Sequence, residues 1–157
     1  MRRVNKILKS EKYKELLERL NDFEKERVFC RHNMEHFLDL ARIAYIKVLE
    51  NGLDYNKEVI YAIALLHDIG RVLQYEDGTP HDIASVTIAK EILEEIDFSL
   101  EEKELIIECI EDHRGTGNSE LSKIISKSDK VSRKCFMCEA ERDCYWDKDK
   151  KNLEIII

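Results

Sequence analysis

A chain of 157 residues has the size of one domain, and 43% hydrophobic residues suffice for a core. Against 26 Lys and Arg stand 33 Asp and Glu, a formal charge of −7, which argues against nucleic acid as a partner while leaving room for a local basic pocket. No apolar run reaches transmembrane length and no signal-peptide core follows Met1-Arg2-Arg3-Val4-Asn5-Lys6, so the expectation is a cytoplasmic protein that avoids membranes, whose five cysteines are reduced thiols or metal ligands before they are disulfides.

Tyr13, Leu16, Leu17 and Leu20 predict a rather exposed N-terminal helix. His32 and His36 are four apart, which on a helix puts both imidazoles on one face. Phe37, Leu40, Ala41, Ala44, Tyr45, Val48 and Leu49 form one helical stripe, stopped by Gly52. The run Val59-Ile60-Tyr61-Ala62-Ile63-Ala64-Leu65-Leu66 reads as a buried helix and leads directly into His67-Asp68 and Gly70. Gly78 and Pro80 mark a break before His81 opens the next helix, with Ile83, Ala84, Ile88, Ile92, Leu93 and Ile96 as its stripe. Ser99 with Glu102 predicts a capping box for a helix carrying Leu105, Ile106, Cys109 and Ile110, with Cys109 in the core and His113 at its end. After Gly115 and Gly117, Leu121, Ile124 and Ile125 begin another helix. Nothing before residue 140 alternates like a strand, and Asn152 to Ile157 suits a strand, a helix end or a disordered tail. The expected fold is a single-domain, all-α bundle of six or seven helices.

The chemistry concentrates at His67-Asp68. A carboxylate taken out of water costs several kcal/mol unless compensated, and a divalent cation is the cheapest compensation open to a His-Asp pair. On a regular helix the two side chains point about 100° apart. Both reach one ion only if the helix ends there, which Gly70 permits.

His36, then His67-Asp68, then Asp129, in that order, resemble the HD-domain metal-dependent phosphohydrolases. Ala64-Leu65-Leu66-His67-Asp68-Ile69-Gly70-Arg71 looks like that family's signature, His36-Phe37-Leu38-Asp39-Leu40-Ala41 like its first-histidine helix, and Ser126-Lys127-Ser128-Asp129-Lys130-Val131 like its closing segment. The resemblance covers roughly residues 28–133. It implies His36, His67, Asp68 and Asp129 as metal ligands, a mixed nitrogen and oxygen set for Mn, Fe, Co, Ni, Zn or Mg, with one or two ions. His32 stands where two-metal relatives often place Glu. His81 and His113 either join His32 on a second ion or face the substrate, His81 as a phosphate binder and His113 as a general acid. Where some relatives pair histidines, this chain has His81-Asp82 and His113-Arg114. Arg71 and Arg114, with Lys130 as a third cation, suit a phosphate.

The implied activity is hydrolysis of a phosphate monoester or diester, on a small phosphorylated or nucleotide substrate, by a metal-bound hydroxide that Asp68 orients; Arg71 and His113 complete the catalytic set. Two alternatives stay open: a dinuclear-iron oxygenase of the same helical type, and a non-catalytic nucleotide-sensing module. The division expected is an N-terminal helical extension (1–27), the metal-binding domain (28–133) and a cysteine-containing tail (134–157) packed on it. Cys135-Phe136-Met137-Cys138 is followed by Cys144, and Cys30 lies just ahead of His32. If His36 and Asp129 meet, these cysteines come close too, enough thiolates for a structural zinc or an iron–sulfur cluster. A homo-oligomer is compatible with all of this.

Overall fold

The computed structural model describes residues 1–115 and 117–156, so Ile157, the last residue of the C-terminal stretch considered above, lies outside it. Among the described residues eight α-helices follow one another: α1 (Arg2–Lys9), α2 (Glu11–Phe23), α3 (Met34–Glu50), α4 (Lys57–Leu66), α5 (Arg71–Glu76), α6 (His81–Glu94), α7 (Leu100–Asp112) and α8 (Glu120–Val131). Three short 3-10 turns come after them, at Cys135–Met137, Glu141–Asp143 and Lys148–Lys150. Among the described residues there is no strand, and the fold is all-α. That is one or two more than the six or seven expected, and the two that the sequence did not show are short, α1 of eight residues and α5 of six.

Side chains set most of the helix starts. Asn33 accepts from the His36 amide (3.1 Å) and opens α3. Asn56 accepts from the Glu58 amide (2.9 Å) and opens α4. The capping box expected of Ser99 and Glu102 is present at α7, and Ser119 with Ser122 builds a second one at α8. Gly52 ends α3 in the left-handed region at φ 66°, where the Leu53 amide donates to the Val48 carbonyl (3.0 Å) and that of Gly52 to Leu49 (3.1 Å).

α4 is the centre of the bundle. It packs against α1, α3, α6 and α7, and α3 in turn packs against α8. Val59, Ile60, Ala62, Ile63, Ala64, Leu65 and Leu66 are all buried, so this helix is apolar on nearly every side. Its C-terminal end therefore lies in the interior, where His67 and Asp68 sit in the tight turn before α5.

Three expectations need correction. The N-terminal helix is not exposed: Tyr13, Leu16 and Leu20 are buried, and the Tyr13 hydroxyl donates to the Leu65 carbonyl (3.1 Å). His32 does not share a helix face with His36, because the cap at Asn33 starts α3 after it. Ile83 points out to solvent; the buried face of α6 runs through Ala84, Ser85, Ile88, Ala89, Ile92 and Leu93 instead. The stretch from Asn152 to Ile156 is neither strand nor helix, and Ile155 and Ile156 are exposed.

Candidate metal centre

Four helix ends meet around Asp68. His36 is in the first turn of α3, His67 caps the C-terminus of α4, His81 is the first residue of α6, and His113 caps the C-terminus of α7. Asp129 comes from the last turns of α8. The junction at α6 depends on close approach. Gly70 donates its amide to Ser85 Oγ (2.9 Å), and a Cβ at Gly70 would stand 2.3 Å from the Ser85 nitrogen and 2.4 Å from the His81 carbonyl oxygen.

The two oxygens of Asp68 face two groups of imidazoles. Oδ2 lies 3.3 Å from His67 Nε2 and 3.7 Å from His32 Nε2, and Oδ1 lies 3.3 Å from His81 Nε2 and 3.7 Å from His113 Nε2. Asp129 Oδ1 is 3.1 Å from His36 Nε2 and 3.7 Å from His67 Nε2. The donor atoms of His36, His67, Asp68 and Asp129 all lie within 4.8 Å of one another, and so do those of Asp68, His81 and His113. His32 belongs to neither group.

Every imidazole is anchored through its other nitrogen. His67 Nδ1 faces the Ala64 carbonyl (2.8 Å) and His113 Nδ1 the Ile110 carbonyl (2.5 Å). His81 Nδ1 faces Gln74 Oε1 (3.0 Å), and His32 Nδ1 faces Glu24 Oε1 (2.6 Å). The Ser132 hydroxyl donates to the Asp129 carbonyl (2.7 Å), so it accepts from His36 Nδ1 (3.0 Å). A ring nitrogen facing an oxygen acceptor carries a hydrogen, which leaves Nε2 as the atom turned towards the carboxylates, with its lone pair free wherever the ring is neutral. Four of these atoms, on His36, His67, His81 and His113, are fully buried and make no hydrogen bond among the described residues. Buried polar atoms are rarely left so.

The electrostatics agree. Burial disfavours charge on Asp68 and Asp129, yet the facing imidazoles hold both carboxyls well below the usual range. Burial likewise opposes charge on His67, but Asp68 and Asp129 outweigh it and hold its imidazole up to about 9. For His36 and His81 burial prevails, and both are pushed down to about 4. Nitrogen lone pairs and two carboxylates converging in a buried space are a donor set fit for one or two divalent cations.

A family model described as HD domain matches residues 33–134. The chain belongs to the HD-domain family. The chain is 46% identical over 155 residues to an uncharacterized protein of Clostridium beijerinckii, covering 99% of each chain. It is 30% identical over 101 residues to Ribonuclease Y of Mycoplasma mycoides subsp. mycoides, which takes in 63% of this chain and 18% of that relative. A crystal structure of a predicted HD superfamily hydrolase from an uncultured Thermotogales bacterium shares the fold, with a TM-score of 0.63 at 19% identity, over 91% of this chain and 80% of that one.

The cations expected at the site divide. Arg71 donates Nε to Asp68 Oδ1 (2.9 Å) and lines a cavity of about 130 Å³ beside the cluster. Arg114 is largely exposed and reaches Asp82 (3.4 Å) on the surface. Lys130 is exposed and lines no part of that cavity. Arg133 takes the place expected of it: buried, it donates Nη2 to Asp129 Oδ1 (3.1 Å). Its signal in the sequence is faint, a basic residue one helical turn after Asp129. Glu24 escaped notice in the run Asp22-Phe23-Glu24-Lys25-Glu26-Arg27, though it is buried, accepts from the His32 backbone amide (2.5 Å) and ring, and takes the Tyr75 hydroxyl (2.9 Å). Cys30, Cys135, Cys138 and Cys144 line the same cavity as Arg71, but neither ligand group within 4.8 Å contains a cysteine.

Proposed function

We propose that this HD domain is a metal-dependent phosphohydrolase acting on a small phosphorylated substrate. The observation that carries the proposal is the convergence of imidazole Nε2 atoms, each with its Nδ1 anchored, on the Asp68 and Asp129 carboxylates. His36, His67, Asp68 and Asp129 would hold one ion, and Asp68, His81 and His113 a second, with Asp68 shared between them. When bound, such ions supply Lewis acidity and lower the pKa of coordinated water towards neutrality.

The remaining work falls to the protein. Asp68, with one oxygen towards each group, orients whatever binds between them. Arg71 ties one N–H to Asp68 and keeps the rest of its guanidinium at the cavity, where it is suited to a phosphate oxygen. His113 spends its Nδ1 hydrogen on the Ile110 carbonyl, so its Nε2 is an acceptor; this favours a ligand role over that of general acid. The same argument applies to His81, whose Nδ1 is on Gln74. The kinship with Ribonuclease Y takes in only 18% of that relative, and a net charge of −7 favours a small substrate over a polynucleotide.

Two measurements test this: elemental analysis of protein purified without added metal, and turnover of p-nitrophenyl phosphate and a panel of phosphorylated metabolites under Mn, Co, Ni and Mg. His67→Ala and Asp68→Ala are expected to lose both the metal and the activity. Wild-type turnover by metal-free Asp68→Ala would end the proposal.

A further inference from the structure

The segment after α8 has no part in the reaction above, yet it is tied down firmly. The Asn152 side-chain amide donates to the carbonyls of Val131 (2.7 Å) and Arg133 (3.0 Å), and its backbone carbonyl accepts from the Phe136 amide (3.1 Å). Lys151 donates its ammonium to the Glu141 carbonyl and carboxylate, both at 2.7 Å. These bonds fold residues 134–152 back onto the end of α8. They bring Cys135, Cys138 and Cys144 to one cavity with Cys30, which arrives from the stretch before α3, more than a hundred positions away. All five cysteines are free thiols, and the fifth, Cys109, is in the core.

Arg133 lines the same cavity. Its side chain is 6% exposed, and its Nε and Nη1 are buried with no hydrogen-bond partner among the described residues. A guanidinium does not lose its charge, and buried donors without acceptors are costly. One nitrogen is on Asp129; the other two call for an anion at the thiol-lined wall. Thiols become anionic when they ligate metal.

The spacing selects among metals. Sulfurs on a single zinc lie about 2.3 Å from it, so any two of them are within about 4.6 Å. No three of these four Sγ atoms come within 4.8 Å of one another. The thiols ring the cavity instead of gathering at one point, as the corners of a polynuclear centre do.

We propose that Cys30, Cys135, Cys138 and Cys144 hold an iron–sulfur cluster in the cavity beside the histidine–aspartate centre, with Arg133 donating Nε and Nη1 to its sulfur atoms. Cys135-x-x-Cys138, the two cysteines set by a 3-10 turn, supplies adjacent corners. Arg133 also joins the two sites, because its third nitrogen is on Asp129. This inference stands apart from the phosphohydrolase reading and survives its failure.

The experiment is acid-labile sulfide and iron analysis of the full chain, purified without oxygen, and again after anaerobic reconstitution with ferrous iron and sulfide. Sulfide matching iron in the cluster, together with the broad visible absorption of such a centre, is expected. Iron at the histidines brings no sulfide, so sulfide separates the two sites. Cys138→Ser and Cys144→Ser should hold at least about tenfold less sulfide, while Cys109→Ala holds the wild-type amount. Wild-type protein without sulfide after both preparations overturns the proposal, whether or not the variants fold. So does zinc at one ion per chain that Cys138→Ser loses, or sulfide undiminished in both serine variants.

Discussion

His36 illustrates how neighbours fix an imidazole at the site. Its Nδ1 hydrogen goes to Ser132, whose own hydroxyl hydrogen is committed to the Asp129 carbonyl, so Ser132 fixes both the ring and the chain that carries the facing carboxylate. Such outer partners are worth about 10–100-fold in metal affinity. Ser132→Ala is therefore expected to weaken metal binding by about that factor while leaving the fold intact, read by competition with a chromogenic chelator; unchanged affinity would show that His36 needs no orienting partner. Cys109 is the contrasting case, a thiol that burial pushes up to about 12. Peptide mapping after iodoacetamide treatment of the folded protein at about pH 8 should find it unmodified, since the thiolate is the nucleophile. At this scale His36, His67, Asp68 and Asp129 were legible because their order and local surroundings are distinctive. Glu24, Ser132 and Arg133 were not. Each belongs to a residue type that is usually solvated, and only the fold reveals that these three are buried.

Among the elements, α3 and α6 were legible because burying several residues on one face needs their helical period, and α4 because its apolar run is unbroken, although Leu49 and Ile83, counted in the first two stripes, are exposed. α2 misled because its stripe is narrow. Tyr13, Leu16 and Leu20 stand among lysines and glutamates that make it resemble a surface helix, yet it packs against α1 and α5. α5 is too short for a period to show, and α1 is secured by charge: Arg3 pairs with Glu58 (2.8 Å) and Glu102 and lies over the Phe98 ring (4.1 Å). The turn between α4 and α5 has little tolerance. Gly70 adopts an ordinary helical φ of −68°, so its need for glycine is spatial. Alanine there meets the backbone of α6 at His81 and Ser85, which cannot rotate away as a side chain would. Gly70→Ala should cost about 1–3 kcal/mol, by denaturant midpoint, and should shift His81 enough to reduce the bound metal. A variant of wild-type stability and metal content would mean that α6 docks less tightly than these distances state.

The molecule as a whole gathers five imidazoles, two carboxylates and two arginines at the junction of its helices, so its stability must depend on what binds there. In metal-free protein the proton takes the cation's role. The folded state holds the His67 proton up to about 9 against an ordinary 6.5, so the stability this provides is complete below pH 6.5 and disappears as pH rises through 9. His36 and His81 have the opposite sign. Their folded values near 4 mean that the unfolded chain takes up protons first as pH falls from 6.5, which removes stability over that range. Asp68 and Asp129, held well below 3.8, add a further loss in acid. Metal-free protein is thus expected to melt highest near pH 6.5 and lower on both sides. A divalent cation replaces the proton at His67 Nε2 and competes with it less as pH rises. Bound metal should therefore raise the melting temperature most on the alkaline side, by about 2.7 kcal/mol of stability at a hundredfold excess over its dissociation constant. Melting curves from pH 5 to 9 with a chelator and with Mn²⁺ check this. If the alkaline decline keeps the same slope under both conditions, the proton and the metal do not share a site, and the cluster is an ion-pair network of the fold alone.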